Sequence, residues 1–156
     1  MGREIERKFI VTSQDWRETA DGGEAIEQGY LSSNGKATVR VRIFDDKRAI
    51  ITLKGAVKGI TRAEFEYDIP LDDAHEMMEM ARPHVLAKRR HKIRHAGLDW
   101  VVDVFSGRHQ GLVLAEIELE HEAQAVPLPS WAGREVSDDD RYYNASLSQT
   151  DAPPQA

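Results

Sequence analysis

The sequence predicts an α+β domain made mainly of antiparallel β-structure, closed as an eight-stranded β-barrel with a charged interior and flanking helices. Three observations predict this. Most of the chain alternates apolar and polar residues with a period of two, the period of a strand. Only two short stretches break that rhythm in favour of helix. The polar side of the alternation is almost entirely Glu, Arg and Lys, with the signs sorted strand by strand. About eight strands is also the number that closes a sheet around one small ligand.

The elements follow in order. Glu4 to Val11 reads as a strand with Glu4, Glu6 and Lys8 on one face and Ile5 and Phe9 on the other. Ser13 to Ala20 reads as a short helix, capped by Ser13 with Asp15 in its first turn. Ile26 to Leu31 is the second strand, where Tyr30 either borders the interior or packs. Ala37 to Phe44 sets Arg40 and Arg42 against Val39, Val41 and Ile43, and Asp45-Asp46-Lys47 turns it into Ala49 to Lys54. Thr61 to Ile69 places Arg62, Glu64, Glu66 and Asp68 opposite Ala63, Phe65, Tyr67 and Ile69. Leu71 to Ala81 is the better helix, entered through Pro70 and closed before Pro83, with Met77, Met78 and Met80 expected on the sheet. Val85 to His95 and Asp99 to Phe105 form a hairpin around Ala96-Gly97. The first of these strands presents Lys88, Arg90, Lys92 and Arg94, and the second presents Asp103. Val113 to His121 is the eighth strand, with Glu116, Glu118 and Glu120 opposite Ala115, Ile117 and Leu119. Residues 1–147 form one domain, and 148–156, with Pro153-Pro154, read as a disordered tail.

A sandwich or half-open sheet with its polar face in water fits the same alternation. Two details favour an enclosed charged face. Wet faces mix in Thr, Ser and Gln, which are scarce at these positions. Like charges at i and i+2 also sit only about 7 Å apart, so each pair needs a counter-charge from another strand or a ligand. Clustered carboxylates suit hard divalent cations, Mg²⁺ or Mn²⁺. Clustered Arg and Lys suit phosphate oxygens. A ligand that needs both is a polyphosphate with its metal.

Composition narrows the alternatives. The 156 residues carry a formal net charge of −6, which argues against a general nucleic-acid binder. There is no cysteine, hence no disulfide, thiolate metal site or thiol nucleophile. The histidines show no HExxH spacing, and no GxxxxGK[ST] or GxSxG motif is present. No apolar stretch is long enough to span a bilayer, and the charged start shows no signal peptide, so the expectation is a soluble cytoplasmic protein.

Glu4-Ile5-Glu6-Arg7-Lys8 resembles the ExExK signature of the CYTH superfamily, the triphosphate tunnel metalloenzymes. Later segments resemble the family in the same order: Val39-Arg40-Val41-Arg42, Thr52-Leu53-Lys54-Gly55, Thr61 to Glu66, Lys88-Arg89-Arg90, Val102 to Phe105 and Leu114 to Leu119. The stretch from Glu135-Val136-Ser137 to Arg141-Tyr142-Tyr143-Asn144 looks like the family's closing segment. The resemblance implies an eight-stranded antiparallel tunnel and metal-dependent hydrolysis of triphosphates. The chain resembles the small, compact bacterial members, several of which prefer inorganic triphosphate, so the expected reaction is its cleavage to diphosphate and phosphate. It implies Glu4, Glu6, Glu64, Glu66, Glu116 and Glu118 as metal-facing carboxylates. Lys8, Arg40, Arg42, Lys54, Arg62, Lys88 and Arg90 become phosphate ligands, and Glu4, Glu6 and Lys8 the catalytic core. Asp103 orients neighbouring cations or reaches metal through water. Tyr142 and Tyr143 are expected to close the barrel. The implied partners are a small-molecule polyphosphate and two Mg²⁺ or Mn²⁺ ions, with a homodimer left open. Adenylate cyclase, thiamine or nucleoside triphosphatase, and a non-catalytic polyphosphate-binding module are the competing readings.

Overall fold

The computed structural model describes residues 2–34 and 36–155. Met1 and Ala156, at the ends of the expected domain and tail, lie outside them.

The strands are β1 (Arg3–Val11), β2 (Glu24–Ser33), β3 (Ala37–Phe44), β4 (Arg48–Gly55), β5 (Thr61–Ile69), β6 (Val85–His95), β7 (Leu98–Phe105), β8 (Val113–Glu118) and β9 (Ala132–Glu135). Their order is β5-β4-β3-β2-β6-β7-β8-β1-β9, and a β5–β1 pairing closes the first eight into a barrel. Every pairing is antiparallel. The closing seam is short: Arg3, Glu4 and Ile5 pair with Ala63, Arg62 and Thr61. Farther along the same edge of β1, Phe9 and Val11 pair with β9 instead. The sequence gives no notice of β9, because Ala132-Gly133-Arg134-Glu135 has no apolar alternation.

Two hairpins carry their turns on positive φ. Ala96 (φ 51) and Gly97 (φ 78) link β6 to β7, and Asp45 (φ 52) and Asp46 (φ 53) link β3 to β4. Aspartate tolerates that region better than most residues, and Asp45 Oδ1 accepts the N–H of Ala25, twenty residues away in sequence, at 2.9 Å.

The helix expected over Ser13 to Ala20 is a single 3-10 turn, Asp15–Glu18. Ser13 Oγ accepts the Asp15 N–H at 3.3 Å, one residue outside the Gln14 cap position. The turn shortens because its task is to seat one residue: Trp16 is fully buried on the outer face of the barrel with Ile93, Trp100 and Ile117. Helix α1 spans Leu71–Ala81 as the sequence predicts, with Asp72 and Asp73 against the positive end of its dipole. It covers the outer face of β2, β3 and β4 through Ala74 and Met78. Met77 packs there in part, whereas Met80 faces solvent at 75 % exposure, which corrects the expectation that all three methionines pack. The reason is helical spacing: Met80 lies off the stripe made by Ala74, Met78 and Ala81.

Gly29 on β2 makes close docking of α1 feasible. A Cβ there would stand 2.7 Å from Ala81 Cβ and 2.8 Å from Met78 Sδ. Gly29→Val is therefore expected to destabilise the fold by about 1–3 kcal/mol, read as a lower urea midpoint at unchanged slope.

β8 ends at Glu118, not at His121, so Glu120 leaves the sheet. From there the chain runs past Trp131 and β9 to a 3-10 turn (Asp140–Tyr142) and a one-turn helix α2 (Asn144–Leu147). Polar contacts are made by the segment read as a disordered tail. Thr150 Oγ1 is 3.0 Å from His109 Nε2, and Arg141 donates to the Gln155 carbonyl at 3.0 Å. Among the described residues no helix is long and apolar enough to cross a membrane.

The interior is not charged throughout. Ile10, Leu86, Phe105 and Leu114 share the inward face with Lys8, Lys88, Asp103 and Glu116. Together with Tyr30 they form an apolar cluster completed by Val136, Tyr142 and Leu147 of the C-terminal segment. That segment thus packs across one end of the barrel interior.

Candidate active site

The barrel holds one large cavity of ≈ 1090 Å³. β1 supplies Glu4, Glu6 and Lys8, β2 Tyr30, and β3 Arg40 and Arg42. β4 supplies Lys54, and β5 Arg62, Glu64 and Glu66. β6 supplies Lys88 and Arg90, and β8 Glu116 and Glu118. Asp103 sits behind this lining, 1 % exposed, against Lys88 and Arg90.

Charge is segregated within the cavity. On the side of the apolar cluster, five cations (Lys8, Arg40, Arg42, Lys88, Arg90) meet three carboxylates (Glu66, Asp103, Glu116). Arg42 donates to Glu66 Oε2 at 2.8 Å, and Arg40 comes within 3.8 Å of the same oxygen. Thr52 Oγ1 donates to that oxygen too, at 2.9 Å. Both guanidinium Nε groups are buried without a partner. Burial, then Arg40 and Arg90, push the Arg42 pKa down to about 10. Glu116 joins Lys8 and Arg90, each at 3.2 Å. Burial works against its charge, but Lys8 and Arg90 outweigh it and hold the carboxyl down at about 2. Burial also opposes the charge of Lys8, yet Glu116 and Glu6 keep its pKa above the ordinary value. Lys88 is pushed down to about 7, burial exceeding the help of Asp103.

The other side is acidic. Glu4 and Glu64 share Lys54, whose Nζ lies 3.0 Å from Glu4 Oε1 and 3.4 Å from Glu64 Oε2. Glu6 stands directly opposite Glu118 across the β1–β8 ladder, and neither forms a side-chain ion pair among the described residues. Burial, then Glu116 and Glu4, push the Glu6 pKa up to about 7. Glu118 is raised by burial and by Glu4 and Glu6. Glu4 is raised by burial against the opposing effect of Lys54. Arg62 spends its Nε on the Gly55 carbonyl at 3.2 Å. Among the described residues no three acidic or histidine side chains converge as a preformed metal cage. Such crowded, unneutralised carboxylate oxygens nevertheless have the chemistry of a hard-cation site.

Sequence reasoning missed the contribution of the C-terminal segment. The Tyr142 carbonyl accepts from Lys8 Nζ at 3.2 Å, and Asn144 Oδ1 accepts from Lys88 Nζ at 2.7 Å. Gln28, fully buried, joins Asn144 to Tyr30. Gln28 was legible as an inward residue two before Tyr30. Asn144 was matched only as the end of the family's closing segment and was given no role, since it lies on a single helical turn far along the chain from the strands it touches. Tyr142 is buried as expected, whereas Tyr143 is half-buried and lines the cavity, its ring 5.9 Å from Lys8 Nζ.

Comparison with known proteins gives the same grouping. Residues 2–150 match the CYTH domain. An inorganic triphosphatase of Acetivibrio thermocellus is 44 % identical over 148 residues, covering 94 % of each chain. One of Nitrosomonas europaea is 34 % identical over 157 residues, covering 93 % of this chain and 96 % of the other. A crystal structure of an inorganic triphosphatase superposes with a TM-score of 0.68 at 30 % identity, over 94 % of this chain and 95 % of the other. Fold, order of charged strands and full-length similarity agree, and the chain belongs to the CYTH domain family.

Proposed function

We propose that this chain hydrolyses inorganic triphosphate to diphosphate and phosphate. The observation that carries the reading is the pair Arg40 and Arg42. Each is 8 % exposed, both lean on one carboxylate, and each has a buried Nε with no partner. Buried guanidinium groups in surplus over carboxylates are costly unless a polyanion is their intended partner. The full-length relatives named inorganic triphosphatase support the choice of substrate.

Hydrolysis in this family is metal-dependent. Glu4, Glu6, Glu64 and Glu118 would hold the ion, and an all-oxygen set fits Mg²⁺ or Mn²⁺. When bound, the ion would acidify a water and neutralise phosphoryl charge. The chain's own residues do the rest. Arg40, Arg42, Lys8, Lys88 and Arg90 bind phosphoryl oxygens and stabilise charge on the leaving diphosphate. Glu66 and Glu116, now paired with those cations, would supply further oxygen ligands for the ion once phosphate took the cations over. In the same exchange Lys54 would release Glu4 and Glu64 and, with Arg62, bind phosphoryl oxygens.

The test is phosphate release by purified protein from inorganic triphosphate, ATP and thiamine triphosphate, each with Mg²⁺ or Mn²⁺. A higher kcat/KM for inorganic triphosphate is expected. The cavity-lining aromatic residues, Tyr30 and Tyr143, lie against Gln28 and Lys8 and leave no ring stack for a base. Preferential ATP turnover or formation of cyclic AMP would transfer the assignment to a nucleotidase or cyclase. Binding without turnover of any substrate would leave a polyphosphate-binding module.

A further inference from the structure

Lys88 is held from two sides. Its Nζ donates to Asn144 Oδ1 at 2.7 Å and lies 2.9 Å from Asp103 Oδ2. In its charged form Lys88 only donates, so the atom of Asn144 that faces it is then the amide oxygen. The second lone pair of that oxygen is taken by Gln28 Nε2 at 3.0 Å. The same nitrogen donates to the Tyr30 hydroxyl at 2.8 Å. The charged end thereby fixes the sense of the whole relay. Gln28 Oε1, on the other side of that amide, is left buried with no partner.

Within such a relay acceptors are used up and donors are left over. Tyr30 accepts from Gln28 and keeps its own O–H proton. Asn144 keeps both N–H groups of its amide nitrogen, and Lys88 keeps one N–H. All three residues line the cavity. Among the described residues no protein acceptor meets the Tyr30 hydroxyl proton or the Asn144 amide nitrogen. Leftover donors on residues that line one cavity, next to surplus cations, suit an oxyanion.

We propose that Asn144 and Tyr30 form an uncharged phosphoryl-oxygen subsite beside Lys88, with Gln28 fixing their polarity from behind. The proposal rests on the reading of the cavity as a triphosphate site. It also gives the C-terminal segment a direct role in binding, because Asn144 reaches the cavity only when that segment is docked.

Two variants test it. Asn144→Asp keeps an oxygen for Lys88 and Gln28 but replaces the leftover N–H donors with a second carboxylate oxygen. It is expected to melt no lower than the parent, while its KM for inorganic triphosphate rises at least about tenfold. Tyr30→Phe removes only the hydroxyl and is expected to raise KM roughly threefold to tenfold, with a smaller change in kcat. Both variants should also show a smaller rise in melting temperature when inorganic triphosphate is added in the presence of chelator. If the parent hydrolyses triphosphate and both variants keep its KM and its thermal shift, the subsite is overturned and the function stands. A parent that neither hydrolyses nor binds triphosphate removes the functional reading, and the subsite with it. Should the Asn144 variant fail to fold, Tyr30→Phe decides alone.

Discussion

Glu6→Gln is expected to reduce triphosphate turnover by at least about a hundredfold and, without divalent metal, to make the protein more stable at neutral and alkaline pH. The two effects have one cause. The Glu6 carboxyl is buried among Glu116 and Glu4, which pushes its pKa up to about 7 from an ordinary value of 4.5. Between those values the folded protein binds more protons than the unfolded chain, so this group's contribution to stability falls as pH rises across that window and stays low above it. Glutamine carries no such term. The variant's advantage in melting temperature should therefore grow from about pH 5 to about pH 8, to roughly 3–6 °C. Turnover falls because the substitution removes one oxygen that would hold the ion. In the parent, metal binding must expel the Glu6 proton, so metal affinity and activity should rise with pH through about 7. An unchanged turnover, or a lower melting temperature at pH 8, contradicts this role and makes Glu6 an ordinary structural carboxylate. Full parental activity in excess chelator would contradict metal dependence altogether.

The second large effect is expected at Asp103, and it has the opposite character. Asp103 accepts from Arg90 Nε and Nη2, each at 2.8 Å, and lies 2.9 Å from Lys88 Nζ. Burial opposes its charge, but Arg90 and Lys88 hold the carboxyl well below the usual range. Asp103→Ala leaves two cations side by side with their shared counter-ion gone. Breaking a buried ion pair from one side costs about 3–5 kcal/mol, and urea denaturation reads this directly. Lys88 limits the damage. Its pKa already lies at about 7, against 10.5 when unperturbed. Between those values the unfolded chain binds more protons, so stability rises with pH there, and the variant should recover in part above about pH 8. Inorganic triphosphate should also restore part of the loss by supplying the missing negative charge, by about 2.7 kcal/mol at a hundredfold excess over Kd. A loss under about 1 kcal/mol, with no response to triphosphate, means that Asp103 is not the keystone of the cationic side.

Much of this molecule could be read along single strands. The bounds of β3, β5, β6 and α1 coincide with the periodicity of Ala37 to Phe44, Thr61 to Ile69, Val85 to His95 and Leu71 to Ala81. Period-two alternation also sorted the faces, because successive side chains of a strand must point to opposite sides whatever the rest of the chain does. That is why Glu4, Glu6, Lys8, Arg40, Arg42, Lys54, Arg62, Lys88 and Arg90 were identifiable as one lining before any pairing was known.

Pairing and register lie outside that logic. Opposition of Glu6 to Glu118, and of Arg90 to Asp103, depends on which strands meet and at what offset. Those offsets decide which charges neutralise one another and which remain for a ligand. The apolar end of the barrel was equally hidden, since Ile10, Leu86, Phe105 and Leu114 each look like ordinary breaks in a charged row until closure brings them together. Asn144 is the extreme case: its role exists only because residues 136–147 fold back over that apolar end. Alternation is a local property of the backbone, so the sequence by itself determined the eight barrel strands, their faces and the chemistry of the lining, but not β9, which does not alternate. The distribution of charge within the cavity and the docking of the C-terminal segment are contacts between residues far apart in the chain, and only the tertiary structure decided them.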